Sequence, residues 1–234
     1  MPNLKESHER ERHILQWLNK IEKDAKAIYL LGDIFDFWFE YKKVVPKGFV
    51  RLLGKLATLI DDGTQIHLFV GNHDLWAMKY LEQEVGIIIH YEGQIIEEQG
   101  KKIFISHGDG LGEGDYTYKF IKKIFAAKFC QWLFARLHPN LGIYLAHTWS
   151  NSSRKSNTTP VYISEEKEIL FGYCKRQQKI KPVDYYIFGH RHLPLELEID
   201  KDTKYINVGD WITHKTYSML AEGKLTLKKY KANQ

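Results

Sequence analysis

The chain has 234 residues, of which 44% are hydrophobic and 27% are charged. This length can bury a sizeable core and this composition is typical of globular proteins, so together they exclude a disordered chain. The 34 basic and 29 acidic residues give a net charge of +5, which suits an anionic partner without choosing among phosphate, nucleic acid and a membrane surface.

Two compartment signals are lacking from the sequence. Apolar runs fall short of the roughly 20 residues that cross a bilayer, and the N-terminal stretch MPNLKESHERER lacks the apolar core of a signal peptide. Cys130 and Cys174 are far apart and form no C-x-x-C pair, so neither a disulfide framework nor a zinc knuckle is indicated. We therefore expect a protein of the reducing cytoplasm.

Hydrophobic periodicity predicts alternating helices and strands. Apolar residues at helical spacing predict helices at about 8–22, 49–60, 76–83 and 165–178. Short apolar runs predict strands at 27–31, 65–70, 87–90, 94–98, 102–106, 184–188, 195–199, 204–208, 217–220 and 224–230. Alternation followed by a run of strands favours a layered α/β sandwich, which we expect to form a single domain over 1–234.

A helical lid insertion is predicted at about 115–160. Residues 115–149 are rich in aromatic and aliphatic side chains with Lys and Arg between them, and should form two helices broken near Pro139. A polar and basic loop, NSSRKSNTTP, should follow at 151–160. The lid aromatics have two interpretations: they pack against the body, or they form a pocket for acyl chains with basic residues facing anionic head groups.

Four strand ends carry candidate metal ligands next to a glycine. These are GDIFD with Asp33, GNHD with Asn72, HGD with His107, and GHRH with His190 and His192. Carboxylate, amide oxygen and imidazole together suit Mn²⁺, Fe²⁺ or Zn²⁺ better than Ca²⁺, and the lack of thiolates argues against a structural zinc site. The two histidines of GHRH stand at i and i+2, so on an extended segment both project the same way.

Each of these motifs also has an ordinary structural explanation. Asp33 and Asp36 can cap a helix or close a turn, and Asn72 and Asp74 can be turn residues. His107 can be a hydrogen-bonded core histidine. Four such motifs at successive strand ends are much harder to explain as turns, so a metal site is the favoured interpretation.

The order GD, GNHD, GH, GH-x-H resembles that of the calcineurin-like metallophosphoesterase superfamily. The helical insertion after HGDG makes the chain most similar to the UDP-2,3-diacylglucosamine diphosphatases of lipid A biosynthesis. The resemblance implies two mixed β-sheets flanked by helices, and two Mn²⁺ ions, with Mg²⁺, Fe²⁺ or Zn²⁺ as alternatives. It also implies hydrolysis of UDP-2,3-diacylglucosamine to UMP and 2,3-diacylglucosamine 1-phosphate.

By the same resemblance, five residues are expected to bind metal. Asp33 would bridge two ions about 3.5–4 Å apart, the usual spacing in two-metal sites. Asn72, His107 and His190 would complete the coordination of one ion, and His192 would bind the other.

The resemblance also assigns catalytic and substrate-binding roles. His73 would lie beside the scissile phosphate, held by Asp74, to stabilise charge or protonate the leaving oxygen. Asp115 matches a sugar-contacting acid of the family. Arg154 and Lys155, in the predicted polar loop, are candidates for contacts with the diphosphate.

One superfamily motif is not found in this sequence, an Asp-x-His at the end of the first strand. Without it the second metal keeps only Asp33 and His192 as protein ligands. Because every other motif is intact, we expect that the natural chain carries a further strand ending in Asp-x-His upstream of Met1. The genomic sequence before Met1 tests this expectation.

The resemblance implies an enzyme bound peripherally to the cytoplasmic face of a Gram-negative inner membrane, with an acylated UDP-sugar lipid and an anionic membrane surface as partners. We expect no nucleic acid partner, because the basic residues form no recognisable binding motif, and we infer no obligate protein partner. Two alternatives stay open: a phosphodiesterase acting on another nucleotide or phosphoester, and a binding module whose metal site has degraded.

Overall fold

The computed structural model describes residues 4–77, 79–114, 116–156 and 161–231, without the side chains of 4–6, 147 and 149–156. The chain forms two compact units. The described residues of the first unit fall in 4–91 and 120–156, and those of the second in 92–119 and 161–231. That the whole chain forms one domain stays a prediction.

The elements follow the predicted alternation. Helices are α1 Leu4–Ile21, α2 Val50–Asp61, α3 Tyr116–Ala126, α4 Lys128–Phe134, α5 Pro139–Ser156 and α6 Ile169–Gln178. Strands are β1 Ala27–Leu30, β2 Gln65–Phe69, β3 Ile88–His90, β4 Gln94–Glu98, β5 Lys101–Ser106, β6 Tyr185–Phe188, β7 Pro194–Glu198, β8 Lys204–Val208, β9 Thr216–Ala221 and β10 Lys224–Lys229. A π-helical turn spans Leu81–Val85, and a 3₁₀ turn spans Glu165–Lys167.

The first unit contains a parallel sheet in the order β1-β2-β3. Leu52, Leu56 and Leu59 are spaced four and three residues apart, so they form one buried stripe on α2. This stripe packs with Leu18 of α1 against alternate residues of the strands, such as Ile66. The expected pattern of helices covering a sheet is therefore confirmed.

The other face of this sheet carries a stack of aromatic rings. The ring centroids of Tyr29 and His67 lie 4.7 Å apart, those of His67 and His90 5.2 Å, and those of His90 and Phe69 4.6 Å. His67 Nδ1 lies 2.9 Å from His90 Nε2. The parallel register places Phe69 opposite His90 and Ile88 opposite His67, which brings the two imidazoles together.

The second unit contains a mixed sheet in the order β4-β5-β6-β8-β7 and a hairpin of β9 and β10. The strands β5, β6 and β8 are mutually parallel, with β4 and β7 antiparallel at the edges. Helix α6 covers the sheet, where Phe171 and Cys174 pack with Tyr186, Phe188 and Tyr205. The predicted sheets flanked by helices are thus present, one parallel and one mixed.

The lid region differs from its prediction. It forms three helices rather than two, because the chain breaks at Ala127 as well as before Pro139, which is the first residue of α5. The predicted loop 151–160 is wrong over 151–156, where α5 continues to Ser156. No Gly or Pro interrupts 143–156, and Ser and Asn lower helix stability by less than about 1 kcal/mol each.

Two other helix predictions need correction. The helix expected at 76–83 is reduced to the turn at 81–85, because the backbone of Trp76 instead forms a parallel bridge with Phe39. The helix expected at 165–178 is interrupted at Glu168, whose backbone is extended, with φ −84° and ψ 98°.

Among the helices that the structure describes, none combines the length and the hydropathy that a membrane crossing requires.

Candidate active-site loops

In the first unit, two of the predicted loops leave the same edge of a sheet. Strands β1 and β2 are parallel, with Leu30 opposite Leu68. The loop containing Asp33 follows β1, and the loop containing Asn72, His73 and Asp74 follows β2. Because the carboxyl ends of parallel strands meet at one edge, the pairing brings the two loops together.

Two aspartates tie these loops by a reciprocal exchange. Asp74 is fully buried, and its carboxylate accepts the backbone N–H of Gly71 at 2.6 Å and that of Ile34 at 3.0 Å. In return, Asp33 Oδ1 accepts the backbone N–H of His73 at 2.9 Å. A carboxylate offers about four lone-pair sites, so Asp33 keeps the capacity to bind metal while it makes this bond.

His73 is oriented by a backbone carbonyl. Its Nδ1 lies 3.0 Å from the carbonyl oxygen of Asp36. A carbonyl only accepts, so Nδ1 carries the hydrogen and Nε2 is the nitrogen that exchanges a proton. The carbonyl oxygen of His73 in turn accepts the backbone N–H of Trp38 at 3.1 Å. That Asp74 orients His73 stays a prediction; the bonds described here give Asp74 the further role of fixing the loop backbones.

In the second unit, the remaining predicted ligands follow strands β5 and β6. His107 follows β5 and is buried, with 3% of its surface exposed. His190 follows β6, and its ring lies edge-on to that of His107, with centroids 5.1 Å apart. The backbone N–H of Gly189 donates to the His107 carbonyl at 3.1 Å. The parallel pairing of β5 and β6 therefore brings these two predicted ligands together.

Glycine is required after His107. Gly108 has a φ of 110°, and an added Cβ would lie 3.0 Å from Leu170 Cδ1 and 3.2 Å from Phe188 Cδ1. A side chain at this position would thus be strained twice, by its φ and by the core beneath it.

Left-handed backbone marks three of the predicted ligands. Among the described residues, seven that are not glycine have positive φ, and they include Asp33 at 53°, His190 at 60° and His192 at 52°. The expectation that His190 and His192 lie on an extended segment is therefore wrong, because both residues have a left-handed backbone conformation. Such conformations are costly, and they persist where surrounding contacts determine them, often at functional sites.

Several polar residues beside these loops were missed by sequence reasoning. Asn207 is fully buried in β8; its Nδ2 donates to the Gly189 carbonyl at 2.5 Å and its Oδ1 accepts the Gly209 N–H at 3.1 Å. Tyr118 Oη donates to Asp109 in the HGDG loop at 2.5 Å. An Asn inside the apolar run KYINV was the available signal, because a buried amide needs hydrogen-bond partners.

Three residues that we predict to contact the substrate have side chains outside the part of the chain that the structure describes. Asp115 lies outside the described residues. Arg154 and Lys155 belong to the last turns of α5, and their side chains lie outside the described part of the structure. Their roles stay predictions.

The donor types in both units fit a divalent transition metal. The first unit presents a carboxylate and an amide, and the second presents imidazoles. Cys174 is not a ligand of the same kind, because burial raises the pKa of its thiol and keeps it neutral. The described donors are thus oxygen and nitrogen atoms.

Comparison with known proteins identifies the class. Residues 7–194, more than half of the chain, match the family described as Calcineurin-like phosphoesterase. The chain belongs to this family of metallophosphoesterases, and is an enzyme that uses a divalent metal.

Its relatives narrow the class further. The UDP-2,3-diacylglucosamine hydrolase of Porphyromonas gingivalis is 38% identical over 223 residues, which cover 89% of this chain and 85% of the relative. The protein of the same name from Actinobacillus succinogenes is 28% identical over 84% of this chain and 83% of its own length. Among solved structures, a Vps29 double mutant of Entamoeba histolytica covers 93% of this chain and 88% of its own at 14% identity and a TM-score of 0.39. That similarity is too low to bear on the function.

Proposed function

We propose that the protein hydrolyses the diphosphate bond of UDP-2,3-diacylglucosamine, producing UMP and 2,3-diacylglucosamine 1-phosphate in lipid A biosynthesis. The observation that carries this proposal is 38% identity, over 89% of the chain, with a relative named as a hydrolase of that substrate. The intact strand-end loops support it, because they hold the residue types that metal-assisted phosphoester hydrolysis requires.

The proposed mechanism divides the work between metal and protein. When bound, divalent ions neutralise phosphoryl oxygens and lower the pKa of the attacking water. Asp33, Asn72, His107, His190 and His192 would hold these ions. His73, whose Nδ1–H is engaged by the Asp36 carbonyl, would give the proton on Nε2 to the leaving phosphate oxygen. Proton transfer of this kind contributes typically about 10²–10⁴-fold to the rate.

Manganese is the metal proposed for this site, with Mg²⁺, Fe²⁺ and Zn²⁺ as competitors. Metal analysis after loading with each ion shows which ions the chain binds. Activity assays at saturation with each ion then test the assignment, and Mn²⁺ is expected to give the highest activity. A chain that retains no metal after loading would instead support the alternative of a binding module with a degraded site.

Product analysis tests the substrate. UMP release should be fast with UDP-2,3-diacylglucosamine and slow with the deacylated sugar nucleotide, because the acyl chains supply apolar binding energy of about 0.8 kcal/mol per buried CH₂. Equal rates with both substrates, or faster hydrolysis of a soluble phosphodiester such as bis(p-nitrophenyl) phosphate, would favour the alternative phosphodiesterase.

Peripheral binding to the anionic cytoplasmic face of the inner membrane is also proposed, through the lid. The lid aromatics divide into two sets, one packed against the body and one facing outward. The inward set packs on the body of the first unit, where Phe134 contacts Phe39 and Trp76, and Phe125 contacts Trp76. The outward set, each more than half exposed, is Phe120, Phe129, Trp132 and Tyr144.

Basic side chains accompany the outward set. The Arg136 guanidinium lies over the Trp132 ring, 4.8 Å from its centroid. Exposed aromatic residues with cations favour an interfacial surface with anionic lipid.

Vesicle binding tests the membrane proposal. Trp132→Ala should weaken binding to vesicles containing phosphatidylglycerol about 10–100-fold, because burial of one large apolar side chain contributes about 1.5–3 kcal/mol. Ile180→Ala is the matched control, an exposed apolar residue outside the lid. Equal binding of the two variants would contradict the proposal.

A further inference from the structure

Glu168 is a buried residue at the N-terminus of α6 whose carboxylate does not cap that helix. It precedes α6 as the N-cap residue, yet its side chain makes no capping hydrogen bond to that helix. Only 3% of its surface is exposed. Burial of a charge is strongly unfavourable unless the charge is paired and hydrogen-bonded, so the partners of this carboxylate should explain its place.

Those partners lead to the GHRH loop. Arg191 Nε lies 3.2 Å from one carboxylate oxygen of Glu168 and 3.3 Å from the other. Tyr205 Oη donates to the same carboxylate at 3.4 Å. The guanidinium is thereby anchored at Nε, so the ion pair ties the Arg191 side chain to a buried residue 23 positions earlier.

Arg191 stands between two predicted ligands. His190 and His192 both have left-handed backbone, and the Arg191 N–H donates to the Gly189 carbonyl at 2.6 Å in a tight turn. The Gly189 carbonyl also accepts Asn207 Nδ2. Left-handed backbone at two histidines only two positions apart is costly for L-residues, so contacts outside the loop must hold this conformation. The Glu168–Arg191 pair supplies such a contact at the residue between them.

We infer that Glu168 and Arg191 are positioning residues, which hold His190 and His192 in the geometry of metal ligands before the metal binds. This inference rests on the proposed metal role of the two histidines and is independent of the substrate. Residues that orient metal ligands typically change metal affinity about 10–100-fold when they are replaced.

The test uses two conservative variants of the full chain. Arg191→Lys keeps the charge but lacks Nε, and Glu168→Gln keeps the shape but lacks the charge. Mn²⁺ affinity, measured by isothermal titration calorimetry, should fall about 10–100-fold in both. At saturating Mn²⁺ the KM for substrate should match that of the wild type, because the pair acts on the ligands and not on the substrate.

A second ion pair involving α6 provides matched controls. Arg176 of that helix lies 3.6 Å from Glu113, and the two side chains are 47% and 81% exposed. Arg176→Lys and Glu113→Gln should leave Mn²⁺ affinity within about twofold, as expected for an exposed pair.

The outcomes separate the inference from the function it rests on. Wild-type Mn²⁺ affinity in folded Arg191→Lys and Glu168→Gln would overturn the positioning role, whatever their thermal stability. If Glu168→Gln does not fold, Arg191→Lys decides alone, since its side chain is one-third exposed. If His190→Ala binds Mn²⁺ as tightly as the wild type, the ligand assignment itself is wrong.

Discussion

The carboxylate of Asp74 accepts the backbone N–H of Ile34 at 3.0 Å, 40 positions earlier in the chain. The neighbouring residue His73 returns a backbone N–H to Asp33. The loops after β1 and β2 therefore behave as one hydrogen-bonded element, and they carry two of the predicted metal ligands and the predicted acid.

Replacement of Asp74 by Asn should destabilise the protein. An amide cannot accept with both of its polar atoms, so either the Gly71 or the Ile34 N–H loses its buried partner, at a cost of about 1–3 kcal/mol. Urea unfolding measures the loss. Asp61→Asn, at an exposed carboxylate, should leave the unfolding midpoint unchanged; an equally unchanged midpoint in Asp74→Asn would contradict the prediction.

Replacement of His73 by Asn should affect catalysis alone. The rate constant kcat should fall about 10²–10⁴-fold, because the proposed proton donor is lost, whereas KM and Mn²⁺ affinity should hold. Steady-state kinetics of UMP release at saturating Mn²⁺ provide the measurement. His8→Asn, at an exposed histidine of α1, is the control and should keep full activity. A loss of Mn²⁺ affinity in the His73 variant would instead make His73 a ligand.

Metal binding should stabilise the fold. A ligand that binds only the native state raises the free energy of unfolding by about 2.7 kcal/mol at 100 times its Kd. Unfolding with and without Mn²⁺ should show this gain in the wild type and in Asp61→Asn, and should lose most of it in Asp33→Asn and His107→Ala. An undiminished gain in either ligand variant would remove that residue from the proposed site.

Protonation of His90 at acid pH should lower the stability of the first unit. Burial lowers the pKa of His90 below its ordinary value, so the native state favours the neutral ring. Stability is then fully present above the unfolded-state pKa of about 6.5 and declines as the pH falls from there towards the lower native pKa. The hydrogen bond between His67 Nδ1 and His90 Nε2 also favours stability at higher pH. One of the two nitrogens must be unprotonated in order to accept this hydrogen bond.

The measurement compares urea midpoints at pH 7.5 and 5.5. The drop should be smaller in His90→Gln than in the wild type, because the variant has no imidazole at 90 to protonate. Parallel drops in the two proteins would assign the acid sensitivity to other histidines.

The strand-end ligands were predictable because their signal is local. Asp33, Asn72, His107 and His190 each follow an apolar run and stand beside a glycine, and the structure places each run in a strand that ends just before its loop. Helix α2 was predictable for the same reason, since its leucines repeat at helical spacing within twelve residues. The turn at 81–85 was not, because Trp76 pairs with Phe39, far from it in the chain.

Local pattern alone thus placed the candidate ligands at the ends of the right strands, and the comparisons confirmed the family that the order of the motifs indicated. Only the tertiary structure decided how the loops are held. Ile34 with Asp74, and Glu168 with Arg191, are pairs separated by 40 and 23 positions. Helical and strand periods relate neighbours within one element, so no periodicity in the sequence indicates contacts between residues so far apart. The left-handed backbone of His190 and His192 was hidden for the same reason, because the adjacent Arg191 and Gly189 bond to residues distant in the chain, Glu168 and Asn207.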